Sequence, residues 1–72
     1  MAQLYKTIGL IGKPNHTGAT ATITALHNYL TERGHQVLVE RSVARFIDLD
    51  ILNIAALTEI GEHADLAIVV GG

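Results

Sequence analysis

The feature that most constrains this chain is the run Leu66-Ala67-Ile68-Val69-Val70, which leads straight into Gly71-Gly72. A short apolar run rich in β-branched residues is the pattern of a parallel strand covered on both faces. Glycines at its carboxyl end let the backbone turn sharply and approach a ligand closely. In open α/β sheets, ligands bind just beyond the carboxyl ends of the strands. The expectation is therefore a parallel α/β sheet with a ligand site at Gly71 and Gly72. The chain is expected to be a fragment of a larger nucleotide- or phosphate-handling protein, cut at its site.

The rest of the sequence supports that fold class. Thr7-Ile8-Gly9-Leu10-Ile11-Gly12 is apolar on both faces and predicts a central strand. Lys13-Pro14-Asn15-His16-Thr17-Gly18 is loop punctuation. A helix follows over about Ala19 to Arg33, with Ala19, Ile23, Leu26 and Leu30 on one apolar face. Thr17 is its expected N-cap and Gly34 its C′ stop. Its threonines lower intrinsic propensity, so it should depend on packing against the sheet. Gln36-Val37-Leu38-Val39-Glu40 is the second strand and completes a βαβ unit.

Residues 41 to 64 are less patterned. Val43, Ala44, Phe46 and Ile47 suggest one or two helical turns, and Leu57, Ile60 and Ala64 fit a short helix starting after Thr58. The third strand is Leu66 to Val70. The reading is a Rossmann-like or flavodoxin-like parallel sheet, three strands with flanking helices, in the order 2-1-3 with the first strand central. That order puts a topological switch point between the first and third strands, so the loop after Gly12 would face Gly71-Gly72 across one crevice.

Composition narrows the function. The 72 residues carry a formal net charge of -2, which gives no basic field for nucleic acid or an anionic membrane. Cysteine is absent, so disulfides and thiolate metal sites are excluded. No apolar run approaches the roughly 20 residues of a membrane helix, and Met1 to Lys6 lacks signal-peptide order. Cytoplasm is the expected location.

Single motifs add little. Gly12-Lys13 resembles the end of a phosphate loop, but Thr7 stands where that loop needs its first glycine and Pro14 where it needs Ser or Thr. Gly9, Gly12 and Gly18 also miss the dinucleotide fingerprint spacing. Lys13 can still meet a phosphate as a point charge, and His16 shares its loop. Glu40 reads as a solvated strand-end carboxylate. His27 and His35 read as surface residues. The four histidines show no metal-ligand spacing, and Asp48 and Asp50 read as a polar loop, so no residue is assigned to a metal.

The whole chain resembles the N-terminal segment of bacterial NAD kinases. The resemblance runs through Ile8-Gly9-Leu10-Ile11-Gly12-Lys13-Pro14 and His35-Gln36-Val37-Leu38-Val39-Glu40. It is strongest from Leu57 to Gly72. In that family the last strand leads into a Gly-Gly-Asp-Gly motif, whose first two residues match Gly71 and Gly72. The motif's aspartate would fall just past Gly72, so no catalytic residue is assigned within the chain.

The resemblance implies an enzyme that moves the γ-phosphate of ATP, or of polyphosphate in some members, to the adenosine ribose 2′-hydroxyl of NAD. It implies a divalent metal, usually Mg2+, and a homo-oligomer. Residues 1–72 would form the first part of an α/β nucleotide-binding domain, with a β-rich C-terminal domain absent and the fragment inactive alone. The expected cofactor-binding residues are Gly71 and Gly72, with Lys13 and His16 as further candidates. The competing readings are a lipid or sugar kinase sharing the diglycine-Asp turn, and a non-catalytic flavodoxin-like module. A receiver-like module would want acidic residues where Gly12 and Lys13 stand.

Overall fold

The computed structural model describes residues 5–12, 17–47 and 53–70. In chain order the elements are β1 (Thr7–Gly12), α1 (Thr17–Glu32), β2 (Gln36–Glu40), α2 (Arg41–Ala44), β3 (Asn53–Ala55), α3 (Leu57–His63) and β4 (Leu66–Val70). Among the described residues the strands form one parallel sheet in the order β3-β2-β1-β4. The three strands expected from sequence have the bounds and the relative order given above, with β1 between β2 and β4. The sheet has one more strand than expected. β3 contributes Asn53-Ile54-Ala55, paired with Leu38, Val39 and Glu40 on the outer side of β2.

The β1 residues alternate between the two faces of the sheet. Ile8 and Leu10 point to the α1 side and are almost fully buried. They join Ile23 and Leu30 of α1, Val37 and Val39 of β2, and Val43, Ala44 and Ile47 in one aliphatic cluster. Leu26, Ile68 and Val70 pack against its margin. The apolar face expected for the first helix is thus the face that α1 buries. Its bounds are shifted, since Thr17 is its first helical residue and not a cap.

The stop at Gly34 is a Schellman turn. Gly34 has φ 89°, which favours a residue without Cβ. Its N–H donates to Thr31 O at 3.0 Å, and the His35 N–H donates to Leu30 O at 3.1 Å. α2 is a single turn followed by two tighter i→i−3 bonds, from Phe46 N–H to Val43 O and from Ile47 N–H to Ala44 O.

The opposite face of the sheet is covered by α3. This helix begins before the position expected from sequence, because the Glu59 carboxylate accepts the Ala56 N–H at 2.9 Å and secures the first turn. Leu57 is exposed, and Ile60 is the residue that α3 buries. Ile60 seats directly over Gly9, where any Cβ would overlap its Cγ2 methyl, and Ala64 closes the same contact. Gly9 therefore permits the helix to approach the central strand. α3 spans β1, β2 and β3, and on its side of β4 Val69 stays 65% exposed.

β4 is held at its start as well as along its length. The Asp65 carboxylate accepts the N–H of Lys6 at 2.9 Å and of Thr7 at 3.0 Å, while its own N–H donates to Thr7 O at 2.8 Å. These bonds set the register Ile8↔Leu66 through Gly12↔Val70. Replacing Asp65 with alanine leaves two N–H groups at the start of β1 without their acceptor. The expected cost is about 1 kcal/mol, reduced by water access at this exposed site. The urea midpoint of the variant reports it, and an unchanged midpoint would contradict the clamp.

Candidate functional site

A doubly wound sheet opens a crevice where neighbouring strands send their connections to opposite faces. β1 leads into α1 on one face. β4 is reached from α3 on the other. The crevice thus lies at the carboxyl ends of β1 and β4, as expected from sequence, and Gly12 and Val70 are paired at its floor.

Gly12 shapes this floor. A Cβ there would come 2.6 Å from Ile23 Cδ1, 3.5 Å from Val70 O and 3.6 Å from Val43 Cγ2. The bare backbone lets α1 close over the strand end. The four candidate binding residues Lys13, His16, Gly71 and Gly72 lie outside the described residues, as do Asp48 and Asp50. What the structure places are their immediate neighbours, Gly12, Val70 and the first turn of α1.

Glu40 sits one strand away from the crevice, at the end of β2. It is half-buried and engaged, which corrects the reading of a solvated carboxylate. Its Oε2 accepts the Ser42 N–H at 2.8 Å and its Oε1 accepts the Ser42 hydroxyl, so it caps α2. His35 and His27 are likewise half-buried. His35 Nδ1 lies 2.6 Å from Tyr5 O, a contact that requires the proton on Nδ1. His27 Nδ1 is buried with no partner among the described residues. The same residues contain no group of three or more His, Asp or Glu side chains placed to hold a metal ion, and no helix long and apolar enough to cross a membrane.

No protein-family model matches the chain. Individual relatives do. An NAD kinase of Colwellia psychrerythraea is 61% identical over 72 residues, all of this chain and 25% of that protein. An NAD kinase of Aeromonas salmonicida is 57% identical over 68 residues, 94% of this chain and 23% of that protein. One from Sodalis glossinidius is 42% identical over all of this chain. The chain carries a segment of the NAD kinase family. It spans about a quarter of the length of the curated relatives it matches.

The NAD kinase match covers every described element, from β1 to β4. The sheet and its crevice are therefore part of what this segment shares with those enzymes. Sequence reasoning missed β3 and the capping role of Glu40. The signal for the second was present, as an acid two residues before a serine at a strand-to-helix junction.

Proposed function

We propose that the protein to which this segment belongs is an NAD kinase, using ATP to phosphorylate the adenosine ribose 2′-hydroxyl of NAD. The observation that carries the reading is the 61% identity to the Colwellia NAD kinase over the whole chain. The switch-point crevice beside Gly12 and Val70 supports it, because nucleotide phosphates favour such positions.

In this reading residues 1–72 build the first part of the nucleotide-binding domain. The phosphate-contacting residues in this reading are Gly71 and Gly72, with Lys13 and His16 as further candidates, all carried by the sequence because they lie outside the described residues. Phosphoryl transfer depends mainly on positioning and on stabilising charge, and main-chain N–H groups supply both without a bulky side chain. The acid that accepts the ribose proton and the β-rich domain belong to the remaining length of the family. The described residues offer no ligand set for the divalent metal implied by the resemblance. The same resemblance is the support for a homo-oligomer, for a cytoplasmic location and for polyphosphate as an alternative donor.

A chimera tests the proposal. The matching quarter of the Colwellia enzyme is replaced by this chain, and NADP formation from NAD and ATP is measured. Turnover within about tenfold of the unmodified enzyme is expected, a difference of roughly 1.4 kcal/mol in barrier. A folded chimera that makes no NADP would overturn the assignment.

A further inference from the structure

The row of β1 that faces α1 reads Ile8, Leu10, Gly12. The first two are almost fully buried in the aliphatic cluster, and the third brings no side chain to it. Gly12 is nonetheless where three other elements meet. Around the place its Cβ would take lie Ile23 Cδ1 of α1, Val43 Cγ2 of α2 and the Val70 carbonyl oxygen of β4. At 2.6 Å, the Ile23 methyl fills volume that any other residue at position 12 would need.

This junction is the floor of the crevice. β1 and β4 end on it in register, Gly12 opposite Val70. Residues 13–16 alone join Gly12 to Thr17, the first residue of α1. So short a connection has little slack, and the height of α1 above Gly12 fixes where both its ends lie. Ile23 and Val43 are fully buried, so turning the Ile23 methyl aside pushes on the core around it. A close-packed interior transmits such a push. It reaches α1 on one side of the crevice and the end of β4 on the other.

We propose that Gly12 is a positioning residue for phosphoryl transfer. By leaving the Ile23 methyl against the strand, it sets the height of α1 relative to the end of β4. The proposal rests on the kinase reading and deepens it. Gly9 supplies the contrast. A Cβ there meets Ile60 still more closely, but in the middle of the strand and on the opposite face of the sheet. A role in stability alone makes Gly9 the more sensitive position. A role in positioning makes Gly12 the more sensitive one for turnover.

In the chimera, Gly12→Ala should lower kcat at least about tenfold, part of the roughly hundredfold that an ångström of misplacement costs. KM for NAD should stay within about threefold, the pattern of a contact that matters in the transition state and not in substrate binding. Gly9→Ala should lower the thermal midpoint more than Gly12→Ala does, yet leave kcat per folded molecule within about threefold. In an Ile23→Val background, which lacks the overlapping methyl, Gly12→Ala should cost no more than about threefold in kcat. Equal losses of kcat at the two glycines, a rise in KM alone, an unfolded Gly12→Ala chimera or no relief by Ile23→Val would each overturn the proposal. An unmodified chimera without activity would instead remove the kinase reading.

Hydrogen exchange in the chimera reads the same geometry without turnover. Gly12→Ala should speed exchange in both 17–24 and 66–70, on the two sides of the crevice, and adding Ile23→Val should return both toward the unmodified rates. Faster exchange confined to 17–24 would show that the push stays within α1, and would overturn the proposal.

Discussion

Replacing Gly9 with valine should cost about 3 kcal/mol or more, the upper end of the usual penalty for overpacking. Domains hold together by roughly 0.05–0.15 kcal/mol per residue, so a loss of that size removes much of the stability of a small sheet. The cause is local. Gly9 lies on the central strand under Ile60, whose branched side chain is 2% exposed and already packed, and a Cβ would also reach Ala64. A β-branched residue has few rotamers with which to escape. The helix must lift from the sheet or the strand must shift its register.

A double-mutant cycle separates this overlap from any effect on strand propensity. Ile60→Ala alone should cost about 2–5 kcal/mol by opening a cavity. In a Gly9→Ala background it should cost less by at least about 1 kcal/mol, because the new methyl fills that space. Additive losses in urea unfolding would show that the two residues do not oppose each other across the sheet.

Replacing Gly72 with valine in the chimera should lower turnover by on the order of 100-fold, the penalty of displacing reacting groups by about an ångström. Glu40→Gln should leave turnover within a few-fold and lower stability instead, by about 1 kcal/mol for a weakened helix cap. The contrast follows from topology. β4 runs into the crevice beside β1, whereas Glu40 ends β2 on the other side of β1 and holds Ser42. Steady-state kinetics paired with thermal unfolding distinguish the two. Equal losses of turnover in two folded variants would place Glu40 at the reacting phosphates and contradict the crevice assignment.

The sequence revealed the parts of the fold that depend on long apolar runs. β1, β2 and β4 each read as buried strands because a parallel sheet covered by helices buries both faces. Their relative order followed from placing the most uniformly apolar strand at the centre. β3 was hidden because Asn53-Ile54-Ala55 is too short for periodicity to register. Its strand state comes from pairing with Leu38, Val39 and Glu40, a tertiary cause. Leu57 and Ile60 marked α3 by their helical spacing, and the helix turns its Ile60 side to Gly9 and leaves Leu57 exposed.

The family was legible through continuous resemblance and not through motif spacing, since neither glycine pattern near Gly12 fits a known phosphate loop. The role of Glu40 was missed because a carboxylate at a strand end looks the same in sequence whether it faces water or a neighbouring amide.

The clamp at Asp65 also orders events in time. Lys6 and Asp65 are 59 positions apart, so the bond between them closes nearly the whole chain into a loop. Such closure costs entropy before any contact repays it, and folds dominated by distant pairings form slowly. Loop-closure entropy favours β1 pairing first with the nearer β2 through the α1 crossover, its other edge waiting for β4. During that interval Ile8, Leu10 and Ile11 present an unpaired apolar edge in the middle of the nascent sheet. Newly made chains are therefore most exposed to sticking to one another just before Asp65 reaches the start of β1.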